Sequence, residues 1–312
     1  MQKINLILGT MQFGESVLED EVLNFLKEFS SYGFQEIDTA YIYNDGASEK
    51  LIGEALSNFK IPLKIATKVT PKVTGKLDKE TILYQFDKSL SRLRLQNIDV
   101  LYLHFPSLES PLYETLETCA YLHNEGKFNE LGLSNFPSWL VSEAVNICKH
   151  EKWMLPTIYQ GLYNPLSRHA EDELNRALDY YGLRFYAYNP LAGGLMTEKY
   201  EDKILKKGRF TQRPNYLKRY WHNSYFEALS KIESSCDEYG ISITEATFRW
   251  LSFHSMLNAN RGDGIILGAS KIEHIHQNIE YVNNGPLPEE IVKTINETWN
   301  ITKQDAPIYF TL

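Results

Sequence analysis

Eight short apolar runs recur along the chain, separated by longer amphipathic stretches. The runs are residues 6–10 (LILGT), 36–39 (EIDT), 63–68 (LKIATK), 99–104 (DVLYLH), 130–134 (ELGLS), 157–160 (TIYQ), 184–188 (RFYAY) and 264–268 (GIILG). Helical spacing of apolar residues falls between them, over 21–32, 80–94, 112–125, 138–150 and 171–181. Strands alternating with helices build parallel βαβ units, and eight such units predict a closed α/β fold, a single (β/α)8 TIM barrel. A doubly wound sheet also alternates, but it places a G-x-G-x-x-G turn after an early strand, and none occurs here. At 312 residues the chain is long enough for one such domain, 1–312.

Composition narrows the setting. A net charge of −8 argues against a general nucleic-acid partner. No apolar run reaches the ~18 residues of a membrane helix, and the N-terminal MQKINLILGTMQFG lacks a secretory pattern. The cysteines, Cys119, Cys148 and Cys236, are odd in number and far apart, which fits a reducing compartment and neither a disulfide framework nor a metal site. The expectation is a soluble cytoplasmic protein with no membrane, nucleic-acid or metal partner.

One interval breaks the rhythm. About 75 residues separate the seventh and eighth runs. Within it, residues 197–223 are polar, lack helical periodicity and carry eight Lys or Arg from Lys199 to Arg219. Long loops in compact domains serve as lids or binding loops, and a local basic patch on an acidic chain favours an anionic ligand. This stretch is expected to be a lid-like loop.

In a barrel the site lies at the C-terminal ends of the strands. There the chain carries Asp38, Lys68, His104, Ser134 with Asn135, Gln160, Asn189 and Ser270. Each alone has a structural explanation, but together on successive strands they form a mouth. In EIDTAYIYNDGASEKLIG the strand ends in Asp38, and Tyr43 follows just before a turn cluster. A tyrosine with an ordinary pKa of ~10 is a weak acid unless its anion is stabilised, and a lysine ammonium beside it should lower that value. An aspartate next to the lysine keeps it charged and oriented, and a histidine can hold a substrate oxygen. No nucleophile pairs with a base, and the HIH of 274–276 falls in a predicted helix, facing solvent or a phosphate. The set suits protonation of an oxyanion.

These residues sit in segments that resemble the aldo-keto reductases along the whole chain. The segments are LGTMQFG, EIDTAYIYNDGASEKLIG, ATK, DVLYLHFP, LHNEGKFNELGLSN, LPTIYQGLYNPLSR, LRFYAYNPLAGGLMTEKY, KRYW and ILGASKIEHIHQN. The nearest resemblance is to the aflatoxin-aldehyde and succinic-semialdehyde reductase branch. It implies reduction of aldehydes and ketones with NADPH, and a tetrad of Asp38, Tyr43, Lys68 and His104. Tyr43 would be the proton donor, and His104 would orient the carbonyl.

The resemblance also implies the cofactor residues. Ser134, Asn135 and Gln160 would hold the carboxamide, and Tyr188 would stack on the nicotinamide. Met11, Asn189, Pro190, Leu191, Gly193, Gly194, Lys199 and Arg209 would line the dinucleotide. Gly268, Ser270, Lys271, His274, Gln277 and Asn278 would take the adenosine 2′-phosphate end. Many relatives have arginine where His274 falls. Tyr220 and Arg219 would meet the substrate, Arg219 taking a carboxylate. Close relatives finish with arginine after YF where this chain has Thr311, so acidic aldehydes should be accepted less well than by those relatives. The branch is commonly dimeric, implying a homodimer. The alternative is a weakly catalytic, nucleotide-binding regulatory subunit of the same fold, against which the intact tetrad weighs.

Overall fold

The computed structural model describes residues 3–58, 61–197 and 209–311, with the side chains of Arg209 and Gln212 excepted. Eight strands run in chain order: β1 (Asn5–Gly9), β2 (Glu36–Asp38), β3 (Lys64–Val69), β4 (Ile98–Leu103), β5 (Phe128–Ser134), β6 (Pro156–Leu162), β7 (Arg184–Tyr188) and β8 (Gly264–Gly268). Each pairs in parallel with the next, and β8 pairs with β1 to close the barrel. The α/β (β/α)8 barrel read from the alternation is therefore the observed fold.

The parity of each strand decides which side chains enter the barrel, because successive residues point to opposite faces. Ile7, Val100, Tyr102, Ile158, Tyr186 and Ile266 form a core of their own inside it, with Ala66 and Tyr188 packed against them. The alternate residues, such as Leu6, Leu8, Ile37, Ile65, Leu101 and Leu133, join the larger core between strands and helices. Burial on both faces explains the near-continuous apolar runs. The Tyr102 ring lies over its register partner on the neighbouring strand β5, where a Cβ on Gly132 would lie 2.3 Å from it, so the glycine in ELGLS is a packing requirement.

Helices cover the outside, including Glu19–Ser31, Ala47–Leu56, Lys79–Leu93, Leu112–Asn124 and Ser138–Glu151. Asp78 caps Lys79–Leu93 by accepting from the Thr81 amide at 3.0 Å, and Ser242 caps Ile243–Phe253 in the same way. The stretch 171–181 divides into a 3-10 turn, His169–Glu171, and the helix Leu174–Tyr181.

The 197–223 stretch differs from its reading as a loop without helix. Residues 198–208 lie outside the described residues, and Lys199 with them. Beyond them stand the short helices Arg209–Gln212 and Pro214–Tyr220, and Asn223–Asp237 follows. One or two turns hold too few apolar residues to show a period, and Pro214 occupies a first-turn position where it costs no hydrogen bond. Among the described residues no helix is long and apolar enough to cross a membrane.

Candidate active site

The residues that end the strands continue the inward phase of the barrel. Asp38 is two residues beyond Glu36 in β2, Lys68 two beyond Ala66, and His104 two beyond Tyr102. Ser134 and Gln160 hold the same phase on β5 and β6, where they are register partners. An apolar inner layer thus gives way to a polar one at the C-terminal mouth.

Lys68 is fully buried and satisfied. Its ammonium donates to Asp38 Oδ2 at 2.7 Å, to the Thr39 carbonyl at 2.6 Å and to the Tyr43 hydroxyl at 3.4 Å. Three acceptors match the three donors of an ammonium. Burial pulls Lys68 below its ordinary value, and the Asp38 carboxylate opposes that pull. The other Asp38 oxygen accepts from the Gln160 amide at 2.8 Å.

Tyr43 is aimed by the loop after β2. The amides of Thr39 and Tyr41 donate to Ala66 and Lys68 of β3, extending the pairing beyond the strand. Asn44 and Asp45 then take left-handed φ values of 50° and 54°. The Asn44 side chain donates to the Met11 and Phe13 carbonyls at 2.9 and 2.8 Å, which fastens this turn to the loop after β1. From below, Arg92 donates to the Tyr41 carbonyl at 2.9 Å and to the buried Glu49 at 3.0 Å, while Thr67 donates to the same carboxylate at 2.6 Å.

The expectation that Lys68 lowers the Tyr43 pKa is corrected by the surroundings. Burial raises the phenol well above its ordinary value, and the Asp38 carboxylate adds to the rise. Lys68, 3.4 Å from the hydroxyl, is not among the charges that offset this rise. Tyr43 is therefore held as the protonated acid. His104 meets it edge-on, ring centroids 6.0 Å apart. Burial first, then Lys68 and Lys72, push the imidazole well below its ordinary value, and its buried Nδ1 has no partner among the described residues. A neutral imidazole beside a protonated phenol can hold and protonate a carbonyl oxygen without holding a charge of its own.

A second layer surrounds this pair. Tyr188 donates to Asn135 Oδ1 at 2.7 Å, and Asn135, at φ 61°, donates to the His104 carbonyl at 2.9 Å and to Ser134 at 3.0 Å. Asn189, also left-handed, accepts from Tyr216 at 3.4 Å and donates to the fully buried Tyr220 at 3.2 Å. Arg213 reaches from the helix end to Glu15 at 2.6 Å and to Asn44 at 3.2 Å.

A profile of the Aldo/keto reductase family matches residues 5–300. The chain belongs to this family. Aflatoxin B1 aldehyde reductase member 2 of Rattus norvegicus is 42% identical over 318 residues, covering 97% of this chain and 87% of the relative. Aldo-keto reductase family 7 member A3 of Homo sapiens is 41% identical over the same length, with 97% and 96% covered. An aldo-keto reductase of Pseudocercospora fijiensis is 34% identical over 295 residues, covering 91% of this chain and 99% of the relative. As an aldo/keto reductase the chain is an NADP-dependent oxidoreductase acting on carbonyl compounds.

The residues assigned to the aldo/keto reductase cofactor fit such a group. Gly268 ends β8, where a Cβ would meet nothing within 4 Å. Ser270 and Lys271 precede the helix Ile272–Asn283, whose N-terminus has no side-chain cap. His274 lies in its first turn and Gln277 and Asn278 in its second; Asn278 is 4% exposed, and its side chain makes no hydrogen bond to another described residue. Pro190, Leu191, Gly193 and Gly194 lie in the turn after β7. Met11 sits opposite, its sulfur 3.8 Å from the Tyr216 hydroxyl. At Gly193 a Cβ would lie 2.6 Å from the Tyr216 ring. The Arg209 side chain is outside the described residues.

Asn44, Glu49, Arg92, Arg213 and Lys72 escaped the sequence reading. Asn44 alone carried a signal, in YNDG, since asparagine tolerates the left-handed region its neighbours also adopt.

Proposed function

We propose that this chain reduces aldehydes and ketones to alcohols with NADPH, Tyr43 giving the proton to the carbonyl oxygen. When bound, the reduced nicotinamide supplies a hydride to the carbonyl carbon, leaving the oxidised cofactor and an alcohol. The remaining work falls to the chain. The carbonyl oxygen accepts from the neutral His104 and the Tyr43 hydroxyl. As charge develops on that oxygen, the phenolic proton moves to it, and Lys68 lies 3.4 Å from the phenolate left behind. Asp38 holds that ammonium in place at 2.7 Å.

The observation that carries the reading is the Asp38–Lys68–Tyr43 chain of contacts beside a neutral His104. The names of the relatives, aflatoxin B1 aldehyde reductases, point to aldehydes as the substrate class. Ser134, Asn135 and Gln160 would hold the carboxamide, and Tyr188, anchored on Asn135, would support the ring. Mixing the protein with NADPH and an aryl aldehyde and following loss of the reduced nicotinamide's absorbance tests the proposal. Turnover that vanishes in Tyr43→Phe is expected; no turnover with any aldehyde in the wild type would overturn it.

A further inference from the structure

Two cations stand at the mouth without a carboxylate partner among the described residues, in a chain with more acidic than basic side chains. The first is Lys72, in the loop after β3. Its ammonium lies 3.5 Å over the centroid of the Phe105 ring. Phe105 stacks on His104, centroids 4.6 Å apart and planes at 23°, and His104 meets Tyr43. Lys72 is thus one aromatic ring away from the residue that would hold the carbonyl oxygen.

The second cation is Arg219, on the helix Pro214–Tyr220. Its guanidinium carbon lies 5.9 Å from the Tyr220 ring centroid and 6.0 Å from that of Tyr216. Its charge also acts on Tyr188, the residue bonded to Asn135. The two cations feel each other: burial of its ammonium end and then the Arg219 charge pull Lys72 below its ordinary value. Such a pair of like charges is relieved by an anion between them, and an exposed lysine mounted on a ring keeps its donors free for one.

We propose that Lys72, acting with Arg219, binds the anionic end of the substrate, so that Lys72 selects carbonyl compounds bearing a carboxylate or phosphate. This rests on carbonyl reduction at Tyr43. The chain's C-terminal segment reaches the same site, the Thr311 amide donating to the Asn135 carbonyl at 3.1 Å. Thr311 itself carries no charge. Lys72 brings one to that mouth from the opposite part of the chain.

The test is a comparison of kcat/KM within two matched pairs: succinic semialdehyde against its methyl ester, and a phosphorylated aldehyde against its dephosphorylated form. NADPH is saturating throughout. Wild type should favour at least one anion over its neutral partner, with a preference that shrinks as salt rises. Lys72→Met keeps the stem over Phe105 and should lower that ratio about tenfold, as expected for losing a hydrogen bond to a charged group. Lys72→Arg should restore most of it. The pair that responds identifies the anion. Lys72 is exposed, so neither variant opens the core. An unchanged ratio in Lys72→Met, with neutral aldehydes still reduced by the wild type, overturns this inference alone. No NADPH consumption with any of the four compounds overturns the proposed function and this inference with it.

Discussion

The Gln160 side-chain amide donates to Asp38 Oδ1 at 2.8 Å, on the carboxylate whose other oxygen takes the Lys68 ammonium at 2.7 Å. A residue expected to hold the nicotinamide carboxamide therefore also supports the tetrad. Its carbonyl and second N–H remain for other partners. Gln160→Leu should destabilise the cofactor-free protein by about 1–3 kcal/mol, the cost of an unsatisfied buried acceptor. Denaturant unfolding without NADPH measures this. Unchanged stability with weakened NADPH binding would show that the bond to Asp38 contributes nothing.

Replacing Tyr43 by phenylalanine removes the proton and leaves the ring against His104. Turnover should fall by roughly 10² to 10⁴, the usual contribution of a general acid, while NADPH affinity measured by fluorescence stays close to wild type. Retention of more than about a tenth of turnover would exclude Tyr43 as the donor. Lys68→Met is a harsher change, because it leaves the buried Asp38 carboxylate without its cation, at a cost of about 3–5 kcal/mol. Its kinetics are interpretable only once its folding has been checked.

The pH dependence follows from two displaced values. Burial and Asp38 raise Tyr43 well above its ordinary value, so the acid form persists across the physiological range. Burial, Lys68 and Lys72 lower His104, so the ring stays neutral well below ~6.5. The profile of kcat/KM should show no acidic limb near the ordinary histidine value; a limb there that disappears in His104→Gln would contradict the neutral ring. Stability responds in a defined direction. The unfolded histidine takes a proton below ~6.5 and the folded one does not, so its contribution is complete above that pH and is lost as pH falls toward the lower folded value. His104→Gln should lose less stability than wild type on that acidic descent, as read by thermal melting.

NADPH should bind more tightly than NADH, and the gap should narrow with salt. Ser270 and Lys271 stand before an uncapped helix N-terminus, where charge-assisted bonds to a phosphate are favoured. Lys271→Ala should weaken NADPH binding several-fold and NADH binding far less. Fluorescence titration with both cofactors at low salt measures this, and equal affinities in the wild type would refute the assignment.

The strands were readable almost to the residue. Every one of the eight lies within two residues of its apolar run, because burial on both faces leaves an unbroken apolar signal. Three residues of the mouth were placeable for a related reason. Asp38, Lys68 and His104 interrupt or end such runs, and strand parity alone then sends them inward. What the chain's linear order could not reveal depends on contacts between segments far apart in it. The bond from Gln160 to Asp38, the Arg213 bridge to Glu15 and the Arg92–Glu49 support of the Tyr41 loop each join distant segments through polar side chains with no local pattern. Lys72 is one lysine among many until Phe105 is found beneath it. The state of Tyr43 is the clearest case. A lysine nearby argues for a lower pKa, but which effect wins depends on how deeply the phenol is buried and how near it the Asp38 carboxylate lies, and only the closed barrel decides both.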